Sequence, residues 1–153
     1  MIGFRATAET AGAEAMLRSI LAGAADMRPM FHEVVEPYFY GMMEDKFDAE
    51  GRPEAWQQLS AKYAAWKAQH YPGRRILERE GLLKEGLTQY PGRYQIRRMG
   101  AKEFEIGTSH PAAAFHQYGT RRMPRRKIID WTPQDDARCE QLAEAWLAKR
   151  VKS

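Results

Sequence analysis

Hydrophobic residues recur at helical spacing in the N-terminal part of the chain. Met16, Leu17, Ile20 and Leu21 fall on one face of a helix, and Thr10 precedes them as a candidate N-cap. This pattern is typical of an amphipathic helix that packs on a core.

A second hydrophobic stripe runs from Met30 to Met42. Pro37 lies inside this stripe. Because a proline in a helix interior removes one hydrogen bond, the helix is expected to bend there. The two stripes together predict a helical hairpin whose second helix is bent.

Alternating hydrophobic and polar residues predict strands in the second half of the chain. The two-residue period appears at residues 94–97 and 103–106, on either side of a Gly-Ala turn. A hairpin is therefore predicted over about residues 93–107. Residues 128–131 and 2–6 are expected to add strands to the same sheet.

Two shorter helices are expected between the helical hairpin and the sheet. Ser60 can cap the first of them. Gly81 and Gly86 shorten the second, since each glycine lowers helix stability by about 1 kcal/mol relative to alanine. Trp56 lies in the loop before Ser60. An exposed tryptophan there would anchor a partner and a buried one would close the core, and the pattern leaves both readings open.

The clearest helix lies near the C-terminus. Thr132 is its N-cap, Pro133 takes the first helical position, and Asp135 and Asp136 lie where the helix dipole favours anions. All the elements together predict an α+β fold, in which a small, mainly antiparallel β-sheet packs with an N-terminal helical hairpin and a C-terminal helix. A length of 153 residues with 44% hydrophobic residues fits one globular domain spanning residues 1–153.

Charge is distributed unevenly along the chain, whose formal net charge is +4. Residues 1–60 carry 5 basic and 10 acidic side chains, whereas residues 61–153 carry 19 basic and 10 acidic ones. The asymmetry fits either ordinary surface charge or a subunit whose acidic face meets the basic face of a neighbour. Charge alone favours the first reading.

The sequence offers no metal or cofactor site. No pair of histidines has the spacing of helical metal ligands, and a single cysteine excludes a cysteine cluster. The residues concerned are His32, His70, His110, His116 and Cys139. An apolar run of membrane length and a leader of the secretory type are also missing, so no membrane partner is expected.

Catalysis is not expected either. Ser109, His116 and Asp130 supply the residue types of a hydrolase triad. However, the strand-turn-helix motif that presents a nucleophilic serine is missing, and most chains of this length contain these residue types. The prediction is a protein that is not an enzyme and has no catalytic residues.

A series of short motifs follows the predicted hairpin. Gly107-Thr108 comes first, then His116-Gln117-Tyr118-Gly119, then Pro124 with Arg126 two residues on. This series resembles the phage virion morphogenesis (tail completion) family, whose usual pattern is Gly-Thr/Ser, His-Gln-x-Gly and Pro-x-Arg. Looser matches extend the resemblance to about residues 40–150 and lie at Phe47, Gly51, Trp56, Leu59, Ser60, Lys67, Ile76, Leu77, Gly81, Leu83 and Leu87.

The chain departs from the family pattern at three positions. Glu80, Gly86 and Ala112 stand where the family usually has Thr, Ser and Tyr. The spacing of the motifs is unaffected.

The resemblance implies a structural protein of a tailed bacteriophage or prophage, which completes the tail and enables it to join the head. It implies a ring of copies of the chain, with a hexamer favoured, at the head–tail junction of the virion after assembly in the bacterial cytoplasm. The implied partners are the tail tube or terminator and head-completion or connector proteins, and passive contact with packaged DNA stays open. The surface expected to dock on a partner consists of Trp56, His116, Gln117, Tyr118, Gly119, Arg121, Arg122, Pro124 and Arg126.

The residues themselves also suggest a competing function. Residues 121–127, called the basic loop below, contain five positive side chains, which could neutralise several phosphates. The nearby aromatic residues Phe115, Tyr118 and Trp131 could stack on bases. The alternative is therefore a basic, non-specific DNA-binding protein, although no known DNA-binding module frames the loop.

Overall fold

A computed structural model describes residues 2–7 and 26–152 of the chain. The stripe from Met16 to Leu21, and with it the first helix of the predicted hairpin, lies outside the described residues. The helices and strands along the described chain are β1 (Ile2–Thr7), α1 (residues 28–48), α2 (Ala61–His70), α3 (Leu82–Thr88), β2 (Gln95–Met99), β3 (Glu103–Thr108), α4 (Ala113–Tyr118) and α5 (Pro133–Lys152). The fold is α+β, as predicted.

A π-helical segment ends two residues before Pro37, and the bend expected at this proline stays a prediction. Helix α1 consists of an α-helical turn at Arg28–Met30, the π-helical segment Phe31–Val35 and an α-helix at Glu36–Asp48. The N–H of Glu36 donates to the carbonyl of Phe31, five residues back. Wider turns of this kind are a known response to an interrupted hydrogen-bond ladder.

The sheet has three antiparallel strands in the order β1-β3-β2. A tight turn joins β2 to β3, and in it the N–H of Gly100 donates to the carbonyl of Glu103 over 2.7 Å. Phe104 and Ile106 are fully buried, which confirms the alternation expected for this strand. The Phe104 ring stacks on Phe31 with the ring centroids 5.9 Å apart.

The prediction of a strand at residues 128–131 was wrong. These residues are not part of any strand of the described sheet. The backbone N–H groups of Ile128 and Ile129 bond instead to the side chain of Gln117. A buried segment needs partners for its backbone groups, and here a side-chain amide supplies them in place of a neighbouring strand.

Local capping signals correctly located two helix starts. The Ser60 hydroxyl accepts a hydrogen bond from the N–H of Tyr63 and caps α2. Thr132 and Asp135 form a reciprocal pair at the start of α5: the N–H of Thr132 donates to the Asp135 carboxylate over 2.8 Å, and the N–H of Asp135 donates to the Thr132 hydroxyl over 3.2 Å. None of the helices in residues 26–152 is long and apolar enough to cross a membrane.

The described residues form two compact units, each assembled from separate segments of the chain. The first contains residues 2–3, Tyr40–Ile96 and Gly107–Ile129, and the second contains residues 4–7, 26–39, Arg97–Ile106 and 130–152. The single domain over residues 1–153 stays a prediction. The motifs from Phe47 to Arg126 all belong to the first unit, and the site described next lies within it.

Candidate interaction site around the basic loop

Gln117 holds residues 128–129, which directly follow the basic loop. Its side chain is buried at the end of α4. The amide nitrogen donates to the carbonyl of Ile129 over 2.7 Å, and the amide oxygen accepts from the N–H groups of Ile128 and Ile129 over 2.8 and 2.9 Å. Three hydrogen bonds from one side chain therefore hold the segment that follows the loop.

Arg126 fixes the loop itself. Its guanidinium is buried and donates to the carbonyls of Gln57 and Gln58 over 2.7 and 3.1 Å. Its backbone N–H donates to the carbonyl of His116 over 2.8 Å. Burial lowers the pKa of Arg126, and its guanidinium bonds to carbonyls rather than to a carboxylate. This arginine therefore ties the loop to the chain that leads into α2.

Trp56 also holds the basic loop in place. Its side chain is buried, its indole N–H donates to the carbonyl of Lys127 over 2.9 Å, and its ring meets the Phe47 ring edge-on at 5.4 Å. Of the two readings of this tryptophan, the structure favours the one in which it closes the core. Trp56 is accordingly not part of an exposed surface.

Gly119 sets the direction in which the loop leaves α4. Its φ is 73° and its ψ is 168°, a backbone conformation that only glycine adopts readily. A Cβ at this position would lie 3.0 Å from the backbone nitrogen of Arg125. Beyond it, the N–H of Thr120 donates to the carbonyl of Met123 over 2.9 Å, which closes a tight turn.

The surface that this frame presents is cationic and aromatic. Phe115 and Tyr118 are 55% and 69% exposed. Arg121 and Arg122 are exposed as well, and neither guanidinium has a hydrogen bond or an ion pair in the described part of the chain. Side chains of this kind are available for contact with another molecule.

The nine residues predicted for the docking surface therefore fall into three groups. Tyr118, Arg121 and Arg122 are exposed, and His116, Gly119 and Pro124 are partly buried, whereas Trp56, Gln117 and Arg126 are buried. Exposed Phe115 was left out of the predicted surface. An apolar residue in a short helix is more often buried than exposed. The feature of the sequence that could have indicated an exposed Phe115 is its position directly before the His-Gln motif.

A groove with a volume of about 770 Å³ opens beside the basic loop within the same unit. Its walls come from the segment before α2, the start of α3, α4 and the basic loop. Cations predominate among its charged lining residues, with Lys67, Arg79, Arg122 and Arg126 set against Glu80. The groove therefore favours groups of negative charge.

His116 lies on the wall of this groove. Its Nδ1 atom is buried and has no hydrogen-bond partner in the described part of the chain. Burial above all, followed by the charges of Arg126 and His110, lowers the pKa of His116 from 6.5 to about 4. The imidazole is consequently neutral near pH 7.

The neutral state of His116 predicts a pH-dependent stability. The pKa of His116 is lower in the folded than in the unfolded protein. Neutral His116 therefore contributes its full share to the free energy of unfolding above pH 6.5, and this contribution is lost as the pH falls towards about 4. Denaturant unfolding at neutral and mildly acidic pH should show a smaller loss of stability for His116→Gln than for the unchanged protein. The same substitution at exposed His70 is the matched control. Equal losses for His116→Gln and the unchanged protein would contradict this assignment.

Residues 26–152 and 2–7 hold no group of three or more His, Cys, Asp or Glu side chains that could bind a metal ion. Cys139 is partly buried in α5, and burial raises the pKa of its thiol to about 11. Cys139 lies outside the candidate site, which is formed by α4 and the basic loop.

Comparison with family models matches residues 8–148 to the phage virion morphogenesis family. The chain belongs to this family. None of the curated proteins and none of the solved structures compared with the chain matches it. A member of this family has a structural or assembly role in a bacteriophage.

Within this phage virion morphogenesis protein, four of the residues that carry the family pattern hold the basic loop in place. Trp56, Gln117 and Arg126 bind backbone groups, and Gly119 sets the turn. The side chains that they expose, Arg121 and Arg122 among them, are the ones available to a partner.

Proposed function

We propose that the protein completes the phage tail and enables it to join the DNA-filled head. It does so as a ring of copies at the head-proximal end of the tail, with a hexamer favoured. The mechanism is binding and geometry rather than catalysis. A weak heterologous contact repeated around an axis gives high avidity once the ring closes.

The observation that carries this proposal is the rigid frame beneath the basic loop. Buried Gln117 and Arg126 make five side-chain hydrogen bonds to backbone groups around the loop. The side chains of Arg121 and Arg122 project from this frame, and neither guanidinium has a partner in the described residues. A loop backbone that is already held in one conformation loses little conformational entropy on binding, which suits a contact surface.

The expected partners are other copies of the chain, the tail tube or terminator, and head-completion or connector proteins. The expected location is the head–tail junction of the virion, after assembly in the bacterial cytoplasm. Because the chain belongs to a family of virion assembly proteins, we do not expect it to be an enzyme.

Removing the two exposed arginines tests this function. Arg121→Ala with Arg122→Ala should change the free energy of unfolding by less than about 0.5 kcal/mol, because both side chains are exposed. In a phage whose own copy of the gene is deleted, the variant should yield few heads joined to tails. Electron microscopy of lysates measures the joined fraction, and Arg138→Ala in α5 is the matched control. A normal joined fraction would exclude this surface from the function.

The observation that favours the competing function, non-specific DNA binding, is the exposure of the aromatic rings of Phe115 and Tyr118 beside the basic loop. Filter binding of duplex DNA at two salt concentrations distinguishes it. Phosphate contacts would give tight retention that weakens steeply with salt and is reduced in the Arg121→Ala, Arg122→Ala variant. The proposed function predicts little retention by the free protein.

A further inference from the structure

The exposed face of α1 carries two carboxylates beside a glycine. Gly41, Glu44 and Asp45 are exposed, and their spacing of three and four residues places them on one side of the helix. Neither carboxylate has a hydrogen bond or ion pair to any other described residue. This acidic face belongs to the same unit as the basic loop.

Two of these residues, Gly41 and Asp45, are unfavourable for the helix that contains them. A glycine in a helix interior is less favourable than alanine. Among the described residues, apart from the chain neighbours of Gly41 and the backbone of its own helix, no atom lies within 4 Å of the place where its Cβ would stand. Asp45 lies in the last turn of α1, where the helix dipole disfavours an anion. Contacts within the described residues thus give no reason for either, and such local conflicts are expected at functional surfaces.

The basic loop has the complementary properties. Arg121 and Arg122 are exposed neighbours, and their guanidiniums, like the carboxylates of Glu44 and Asp45, have no partner among the described residues. Two guanidiniums match two carboxylates in charge and in hydrogen-bonding capacity. Gly41 would let the partner's loop approach the α1 backbone closely.

We propose that the acidic face of α1, formed by Gly41, Glu44 and Asp45, binds the basic loop of a second copy of the chain. This inference rests on the proposed function and names the contact that closes the ring. The two surfaces are different, so the contact is heterologous, and it can repeat from copy to copy around an axis. Opposite charges would also fix the register between neighbours.

Charge reversal on each side tests the contact, with the joined fraction of phage particles as the readout in a deletion background. Glu44→Lys with Asp45→Lys, and separately Arg121→Glu with Arg122→Glu, should each lower the joined fraction by at least about tenfold, because like charges then face each other. The chain that carries all four changes should regain most of the joined particles. Co-expression of the two double variants should also restore joining, because they can alternate around a hexamer.

The glycine provides a test that does not depend on charge. Gly41→Leu should raise Tm by about 2–4 °C, since leucine is a better helix former and the position is open. The same variant should lower the joined fraction, because its side chain occupies the space of the neighbouring loop. If Gly41 had only a structural role in the helix, Gly41→Leu would not raise Tm and lower the joined fraction at the same time.

A variant with Glu144→Lys and Arg138→Glu in α5 is the control, since it reverses two exposed charges outside both surfaces. Circular dichroism and Tm close to those of the unchanged protein establish that the charge-reversed chains fold. Failure of the fourfold variant to restore joining, or normal joining by Gly41→Leu, would overturn the inference and leave the proposed function standing. Joined particles in the complete absence of the protein would instead overturn the proposed function itself.

Discussion

Replacing Gln117 with alanine is expected to lower the free energy of unfolding by about 3–5 kcal/mol. The change removes three hydrogen bonds in the buried region below the basic loop. It also leaves the N–H groups of Ile128 and Ile129 and the carbonyl of Ile129 without their side-chain partner. Each buried polar group that loses its partner costs about 1–3 kcal/mol, and this segment is not paired within the described sheet, so no ladder hydrogen bonds replace the lost ones.

Urea unfolding followed by circular dichroism measures this loss. Gln134→Ala is the matched control, because Gln134 is exposed near the start of α5 and should change stability by less than about 0.5 kcal/mol. Gln117→Glu keeps the two acceptor bonds but places a carboxylate against the carbonyl of Ile129, so it should also be destabilising at neutral pH. If Gln117→Ala cost less than about 1 kcal/mol, the hydrogen bonds assigned to this side chain would not hold the segment.

Replacing Arg126 with alanine is expected to cost about 2–4 kcal/mol of stability. The guanidinium donates to two carbonyls, and hydrogen bonds from a charged group contribute about 1.5–3 kcal/mol each. Water can reach part of this region once the side chain is removed, because Gln57 and Gln58 are exposed, so the cost stays below the sum of two such bonds. Arg126→Lys should recover only part of the loss, since an ammonium lacks the planar fork that reaches both carbonyls.

The same urea titration compares Arg126→Ala with Arg122→Ala, its exposed neighbour in the basic loop. The account predicts a large loss for the first and almost none for the second. Similar values for the two arginines would mean that the buried position of Arg126 does not fasten the loop.

Elements that depend on local chemistry were predictable from the sequence. The alternation of Phe104 and Ile106 with polar residues located β3, and the caps Ser60 and Thr132 located the starts of α2 and α5. A cap or a two-residue period depends on residues within a few positions of each other. Such signals hold wherever the rest of the chain packs. The short length of the helix at Leu82–Thr88 was also predictable, because Gly86 lies within it and Gly81 directly before it.

Contacts between distant segments were not predictable. Ile128 and Ile129 look like part of a strand, but their backbone partner is a side chain 11 or 12 residues earlier. Nothing local in the sequence distinguishes a glutamine that satisfies buried backbone from one that meets a partner. The motif residues Trp56, Gln117 and Arg126 were therefore assigned to the surface, although the structure buries all three.

The location of the docking surface in this stretch of chain stays a prediction, and the structure shows only which of its residues are exposed and which are buried. The exposed pair Arg121 and Arg122 agrees with the prediction. The unpartnered carboxylates of Glu44 and Asp45 emerged only when burial and ion pairs were known. An acidic stretch in a sequence is usually a solvated helix face. What sets Glu44 and Asp45 apart is their place beside Gly41 on one exposed side of α1.

Electron microscopy of lysates from a phage or prophage that lacks this gene tests the central claim most directly. The account predicts DNA-filled heads and separate tails, with joining restored when the gene is supplied from a plasmid. Fully joined, infectious particles in the absence of the gene would contradict it.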